Sequence, residues 1–231
     1  MSAAISYTGG KDCTLALHRV IEQGIKVNVL VTFSPPSTDP RSFKAHSFDI
    51  IEKQAEALGL AHTICIIDGP DYLASYQGEI KKLAETYGIT KLVTGDILPV
   101  CSNFMERAVE GTGVELVRPL WEQPQQDLLN EMWERQFDIL VTCVNLEKIP
   151  KSVLDKVQDV YGVGKPLTQA GLDAIIKEDK SISPTGESGE LHTMVIGCSL
   201  YKNVRINVES EILQEDIFLF LKIKGVQLVD K

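Results

Sequence analysis

A chain of 231 residues, 44% of them apolar, is long enough to bury a sizeable core as one large domain or two small ones. No apolar run approaches the ~20 residues a membrane-spanning helix needs, and the N-terminus lacks the basic region and long apolar stretch of a secretory signal. A net charge of −9 argues against an extended nucleic-acid-binding face and leaves room for a small-molecule or protein substrate. Cys13, Cys65, Cys101, Cys143 and Cys198 are odd in number, widely spaced and without a Cys-x-x-Cys pair, which suggests neither a zinc site nor a disulfide framework. A reduced, cytoplasmic protein is expected.

Ala3-Ala4-Ile5 is short and apolar, as a buried parallel strand should be. Ser6-Tyr7-Thr8-Gly9-Gly10-Lys11-Asp12-Cys13 follows, and a helical pattern begins after it. A strand that enters a glycine turn and then a helix aims free backbone N–H groups at one point, an anion site that the helix dipole strengthens. Gly9 and Gly10 let the backbone approach a phosphate, Lys11 supplies a mobile charge, and Asp12 is suited to hold magnesium or cap the helix. The spacing is neither that of a Walker A loop nor of the dinucleotide fingerprint. The plainer alternative is a glycine turn with an exposed ion pair.

Residues 27–33 read as a second strand, followed by the irregular, proline-rich loop of residues 35–40. A helix over residues 47–58 carries Phe48, Ile51, Ala55 and Leu58 on one face and stops at Gly59. Strands over residues 62–67, 91–94 and 114–117 alternate with helices over residues 72–87 and 103–109. Five such strands imply a parallel doubly wound sheet. With strand order 3-2-1-4-5, the glycine loop after the first strand and Gly95-Asp96 after the fourth converge at the switch point, where Asp96 would meet magnesium or ribose or else cap the next segment.

The texture changes near Glu122, so residues 1–122 are expected to form one domain and residues 123–231 a smaller α+β domain. The latter should hold helices over residues 126–135, 154–160 and 167–176, a strand over residues 137–144, and further strands at residues 194–197, 204–208, 217–223 and 226–229 in a mixed sheet. Its informative stretch is residues 183–193, which packs Glu187, Glu190, His192 and Thr193 around Gly186 and Gly189. A glutamate there is placed to take a proton from an amine or bind a cation, and His192 and Thr193 to hydrogen-bond a carboxylate or phosphate. The competing view is a solvated polar turn. His18 and His62 read as structural, His46 as a remote candidate for the nucleotide, and Trp121 and Trp133 as core anchors of the second domain. Arg107 is expected to pair with Glu106 or Glu110, and residues 209–216 to form a solvated acidic face.

Thr8-Gly9-Gly10-Lys11-Asp12-Cys13 resembles the Ser-Gly-Gly-Lys-Asp-Ser signature of the PP-loop ATP pyrophosphatases, with Thr8 and Cys13 each standing for serine. Residues 186–193 are similar to the Gly-Glu-x-Gly-Glu-(aromatic)-His-Thr motif of the diphthine–ammonia ligase branch, with Leu191 in place of the aromatic. Pro119-Leu120-Trp121, Gln126-Asp127-Leu128-Leu129 and Gly164-Lys165-Pro166-Leu167 also resemble that branch, whereas Pro99-Val100-Cys101-Ser102 departs from it. The resemblance implies a Rossmann-like sheet of the HUP type and an ATP-binding loop of Thr8, Gly9, Gly10, Lys11, Asp12 and Cys13, with Gly95 and Asp96 beside it and Mg2+ on Asp12. It further implies catalytic Lys11, Glu187, Glu190 and His192, and a substrate site of Gly186, Glu187, Gly189, Glu190, His192 and Thr193. The implied reaction adenylates a carboxylate and amidates it with ammonia, releasing AMP and pyrophosphate. The implied carboxylate is diphthine on elongation factor 2. Another carboxylate or a nucleobase, or a nucleotide-binding module without chemistry, stays open, as does a homodimer.

Overall fold

The computed structural model describes residues 2–36, 46–99, 103–183 and 185–231. The expectations for residues 37–40 of the proline-rich loop, for residues 100–102 including Cys101, and for Pro184 lie outside the described residues.

The chain divides into two compact units. The first comprises Met1–Thr8, Asp12–Ser42 and Leu58–Gln123; the second comprises Gly9–Lys11, Phe43–Ala57 and Pro124–Lys231. In chain order the early elements are β1 (Ser2–Ser6), α1 (Lys11–Glu22), β2 (Lys26–Ser34), α2 (Phe48–Leu58), β3 (Ala61–Ile66), α3 (Tyr72–Tyr87), β4 (Lys91–Val93), α4 (Phe104–Val109) and β5 (Glu115–Val117).

The five strands of the first unit form one parallel sheet in the order β3-β2-β1-β4-β5, the order expected from the sequence. One face of the sheet is made by alternate residues, Val29 and Val31 on β2 with Ala4 on β1 and Leu92 on β4. Ile80 and Leu83 of α3 pack there with Ala108 of α4, and Tyr76, Ala84 and Tyr87 flank them at helical spacing. Asp71 caps α3 by accepting the Ala74 N–H at 2.9 Å, and Gly88 ends the helix with φ +62°. At the end of β4, an added Cβ on Gly95 would stand 2.7 Å from Cys13 N and 2.8 Å from Asp12 C. Only glycine lets the strand end close on the first turn of α1.

The second unit adds α5 (Gln125–Glu134), β6 (Asp138–Asn145), α6 (Lys151–Val157), α7 (Gln169–Glu178), β7 (Leu191–Gly197), β8 (Val204–Glu215) and β9 (Phe218–Asp230). Its sheet runs β7-β6-β9-β8, and every pairing is antiparallel rather than mixed. The expected short strands at residues 204–208, 217–223 and 226–229 are two long ones. The acidic stretch read as a solvated face belongs to β8 up to Glu215. A register shift between Glu209 and Ser210, opposite Gly225, lets the hairpin pass the glycine without breaking. The acids read as a separate solvated segment because β8 is an edge strand, exposed at Arg205, Asn207 and Glu209. Trp121 lies in the first unit, not among the anchors of the second; Trp133 stays in the second and donates its indole N–H to Leu167 O at 3.1 Å.

Gly95→Ala should destabilise the protein by about 1–3 kcal/mol, because backbone atoms must shift. Gly78→Ala, in α3 with nothing within 4 Å of the new methyl, should stabilise it by about 0.5–1 kcal/mol. Denaturant unfolding of the two variants checks the pair.

Candidate active site

Beyond β1 the chain is held by its neighbour β2. Tyr7 N donates to Val31 O at 2.7 Å, and Thr32 Oγ1 donates to Tyr7 O at 2.6 Å. Thr32 also meets His62 Nε2 at 2.9 Å, which gives His62 the structural part expected of it. Thr8 therefore leaves a rigid strand end, in the first unit, half-buried.

The middle of the glycine loop, Gly9–Lys11, packs within the second unit. Gly9 holds φ +76°, and its carbonyl accepts Val195 N from β7 at 2.9 Å. Gln54 of α2, fully buried, donates its Nε2 to the same Gly9 carbonyl at 2.9 Å and to Val195 O at 2.8 Å. A Cβ on Gly9 would stand 2.4 Å from Gln54 Oε1 and 2.7 Å from Met194 Cε. Gly9 must therefore be glycine, because Gln54 and Met194 already fill the space of a side chain there. Lys11 N donates to Thr193 Oγ1 at 3.3 Å, and the Lys11 side chain is only 3% exposed. Among the described residues no group of three or more His, Cys, Asp or Glu could hold a metal. Asp12 is the acid of the loop.

In the turn before β7, Gly186 and Gly189 both take φ +80°. Glu190, 3% exposed, accepts Ser183 N at 3.1 Å and Ser188 N at 2.9 Å, so its carboxylate ties the turn together. Glu187 is half-buried on the same turn. Leu191, where the resemblance has an aromatic, is 5% exposed and would meet a Cβ on Gly186 at 2.9 Å. His192 is flanked by His46, ring centroids 5.0 Å apart and edge-on. Burial, and then the charge of Lys11, hold the His192 imidazole below its ordinary value of 6.5. The second unit therefore brings Lys11, His192 and Thr193 together, with Glu190 beside them at the mouth of β7.

In the first unit, Asp12 and Cys13 open α1 under Gly95, as the convergence at the switch point required. Asp96 accepts Thr94 Oγ1 at 2.7 Å. Burial raises its carboxyl, while Thr94 and the more distant Arg118 pull it back down. Arg107 does not carry the expected ion pair: its guanidinium lies 5.5 Å over the Phe104 ring, and Arg118 pairs with Glu106 instead.

Gln54 escaped the sequence, whereas His46, read there as a remote candidate for the nucleotide, stands against His192. Gln54 left a signal, a polar residue inside the apolar stripe of α2, three after Ile51 and four after Ile50. Its replacement by leucine should cost about 1–3 kcal/mol, and by glutamate more, since a carboxylate would face two carbonyls; denaturant unfolding at pH 7 ranks the two. For His192 the folded value lies below the unfolded one, so its stabilisation is present above 6.5 and is lost as pH falls through the folded value. His192→Gln should flatten the loss of stability seen on acidifying from pH 7, as read from denaturation midpoints against pH.

A family model described as Diphthamide synthase N-terminal domain matches residues 1–116, and one described as Diphthamide synthase C-terminal domain matches residues 124–229. A diphthine–ammonia ligase of Schizosaccharomyces pombe is 23% identical over 239 residues, covering 94% of this chain and 38% of that protein. The chain thus spans well under half the length of that relative. A diphthine–ammonia ligase of Bos taurus is 24% identical over 255 residues, covering 100% of this chain and 91% of that protein. A solved structure described as a predicted subunit of tRNA methyltransferase from Methanocaldococcus jannaschii is similar with a TM-score of 0.48 and 17% identity, over 86% of this chain and 97% of that one. On the two matches that together run from residue 1 to residue 229, the chain belongs to the diphthamide synthase family.

Proposed function

We propose that the chain is an ATP-dependent, AMP-forming ligase that amidates the carboxylate of diphthine with ammonia. The observation that carries this reading is the bond from Lys11 N to the Thr193 hydroxyl, supported by Gly9 O on Val195 N. The loop suited to a nucleotide's phosphates and the turn suited to a carboxylate are joined at that point. Residues 1–122 serve mainly the nucleotide and residues 123–231 mainly the substrate. Thr8, Gly9, Gly10, Lys11, Asp12 and Cys13 hold the phosphates, with Gly95 at the adjoining strand end, and Asp12 would hold a Mg2+ whose charge would offset that of the phosphates.

A carboxylate oxygen of the substrate forms a bond to the α-phosphorus, and the bond to pyrophosphate breaks. Buried Lys11 and the loop amides stabilise the charge that grows on the departing pyrophosphate. Ammonia then forms a bond to the carbonyl carbon, AMP leaves with the electron pair of the acyl–oxygen bond, and the nitrogen gives up a proton. Glu190 spends its carboxylate on Ser183 N and Ser188 N, so we assign it to shaping the turn and Glu187 to accepting that proton. His192, kept neutral, and Thr193 orient the carboxylate together with Gly186 and Gly189. The names of the relatives supply diphthine and ammonia, and the carrier then is elongation factor 2, in the cytoplasm. Among the described residues no helix is long and apolar enough to cross a membrane.

Turnover is measured as AMP release from ATP, ammonium and diphthine-bearing factor. Lys11→Ala should lower kcat/KM for ATP by about 10²-fold or more. Glu187→Ala should lower kcat by about 10²–10⁴-fold with ATP binding unchanged. Glu190→Ala should lose stability together with activity. No AMP release by the wild type on a verified substrate overturns the reading.

A further inference from the structure

The first unit encloses a cavity of about 470 Å³ at the carboxyl ends of its central strands, bordered by Ser6 after β1, Thr94 after β4 and Arg118 after β5. Its wall is aromatic, formed by Tyr72 and Tyr76 of α3, Phe104 of α4, and Trp121. Tyr76 and Phe104 meet edge-on with centroids 5.0 Å apart. Among the described residues the charged groups on the cavity are Asp96, Glu106 and Arg118, two carboxylates against one guanidinium.

The guanidinium is already engaged. Arg118 Nη2 donates to Glu106 Oε1 at 2.5 Å, and its guanidinium carbon lies 3.7 Å over the Trp121 ring. Among the described residues Asp96 has only the Thr94 hydroxyl as a hydrogen-bond partner, and no cation comes within ion-pair distance of it. A partly buried carboxylate whose one favourable charge, the more distant Arg118, is already engaged by Glu106 and Trp121, set among rings whose π faces attract cations, selects a positively charged guest. Phosphate is repelled by the same carboxylate. A guest able to leave water at little cost is an alkylated ammonium, because it has no N–H to satisfy and its methyl groups rest on aromatic faces.

We propose that this cavity seats a quaternary ammonium group, with Asp96 as its counter-charge and Tyr72 and Tyr76 as its aromatic support. The identity of the guest rests on the ligase reading: diphthine is by its chemical structure a betaine, a carboxylate beside a quaternary ammonium. The sign of its charge rests on the cavity alone. Asp96 thereby serves the organic substrate rather than the ribose or magnesium suggested by its place at the switch point. Specificity follows, since a carboxylate lacking the neighbouring cation leaves Asp96 without its partner.

The experiment has two arms. In the first, the intact protein is titrated with tetramethylammonium chloride, with sodium chloride at equal ionic strength as control, while the Trp121 indole signal is followed by NMR. A saturable shift that Asp96→Asn weakens by about five- to tenfold, and that exposed Tyr72→Leu also weakens, is expected. No saturable shift, the same shift in Asp96→Asn, or displacement of the probe by adenosine overturns the inference. In the second arm, Asp96→Asn and Tyr72→Leu should raise KM for diphthine-bearing factor about tenfold while KM for ATP stays within about twofold. A rise in KM for ATP alone assigns the cavity to the nucleotide and overturns the inference. A wild type without turnover overturns the ligase reading, and the tetramethylammonium titration still decides the cavity.

Discussion

The carbonyl oxygen of Gly9 accepts two N–H groups at once, one from the backbone of β7 and one from the side chain of Gln54. A neutral hydrogen bond of this kind contributes about 1 kcal/mol net, but a buried carbonyl left bare costs more than its bond supplies. The second partner of Gln54, Val195 O, is also held by the Tyr201 hydroxyl at 3.1 Å. Gly9 must be glycine twice over, for its left-handed backbone and because Gln54 occupies the space of a side chain. One amide thus sets the direction of the loop, the height of β7 and the seat of α2 together. The side chains nearby, Lys11 at the head of α1 and His192 and Thr193 on β7, inherit their positions from it.

Charge is distributed with the same economy. The chain carries a net −9, and much of it lies on exposed surfaces such as the β8–β9 ribbon, where Glu211 bridges Lys222 and Lys224. Such exposed pairs contribute little to stability and are screened by salt. The charges that matter are withdrawn from water: Lys11 in the second unit, Glu190 tied by its own turn, and Asp96 in the first unit. Burying a charge is costly unless something answers it: Glu190 is answered by Ser183 N and Ser188 N, and Asp96, among the described residues, by the Thr94 hydroxyl.

The parallel sheet was legible because its evidence is local. β-Branched runs, glycine stops and alternating helices specify strand number and class, and the right-handed crossover rule does most of the rest. The glycine loop and the turn at residues 186–193 were legible for the same reason, being short strings of unusual residues. What the pattern withheld depends on partners far away in the chain. Gln54 lies 45 residues from Gly9 and 141 from Val195, and His46 meets a histidine from β7. The antiparallel run of the last strands hid behind Gly225 and an acidic edge, since a bulge that absorbs a glycine has no periodic signature. Trp121 was misplaced because a bulky ring reads as a core anchor until the guanidinium stacked on it is seen.

The buried cysteines carry a practical consequence. Desolvation pushes Cys143 and Cys198 up to about 11 and Cys65, with a further push from Glu79, up to about 12. A thiol at 11 is ionised to roughly one part in ten thousand at neutral pH, and only the thiolate reacts. Alkylating reagents therefore find these sulfurs silent while the fold is closed and reactive once it opens. The molecule carries its own clock for local unfolding, with Cys65 timing the parallel sheet and Cys143 and Cys198 timing the antiparallel one.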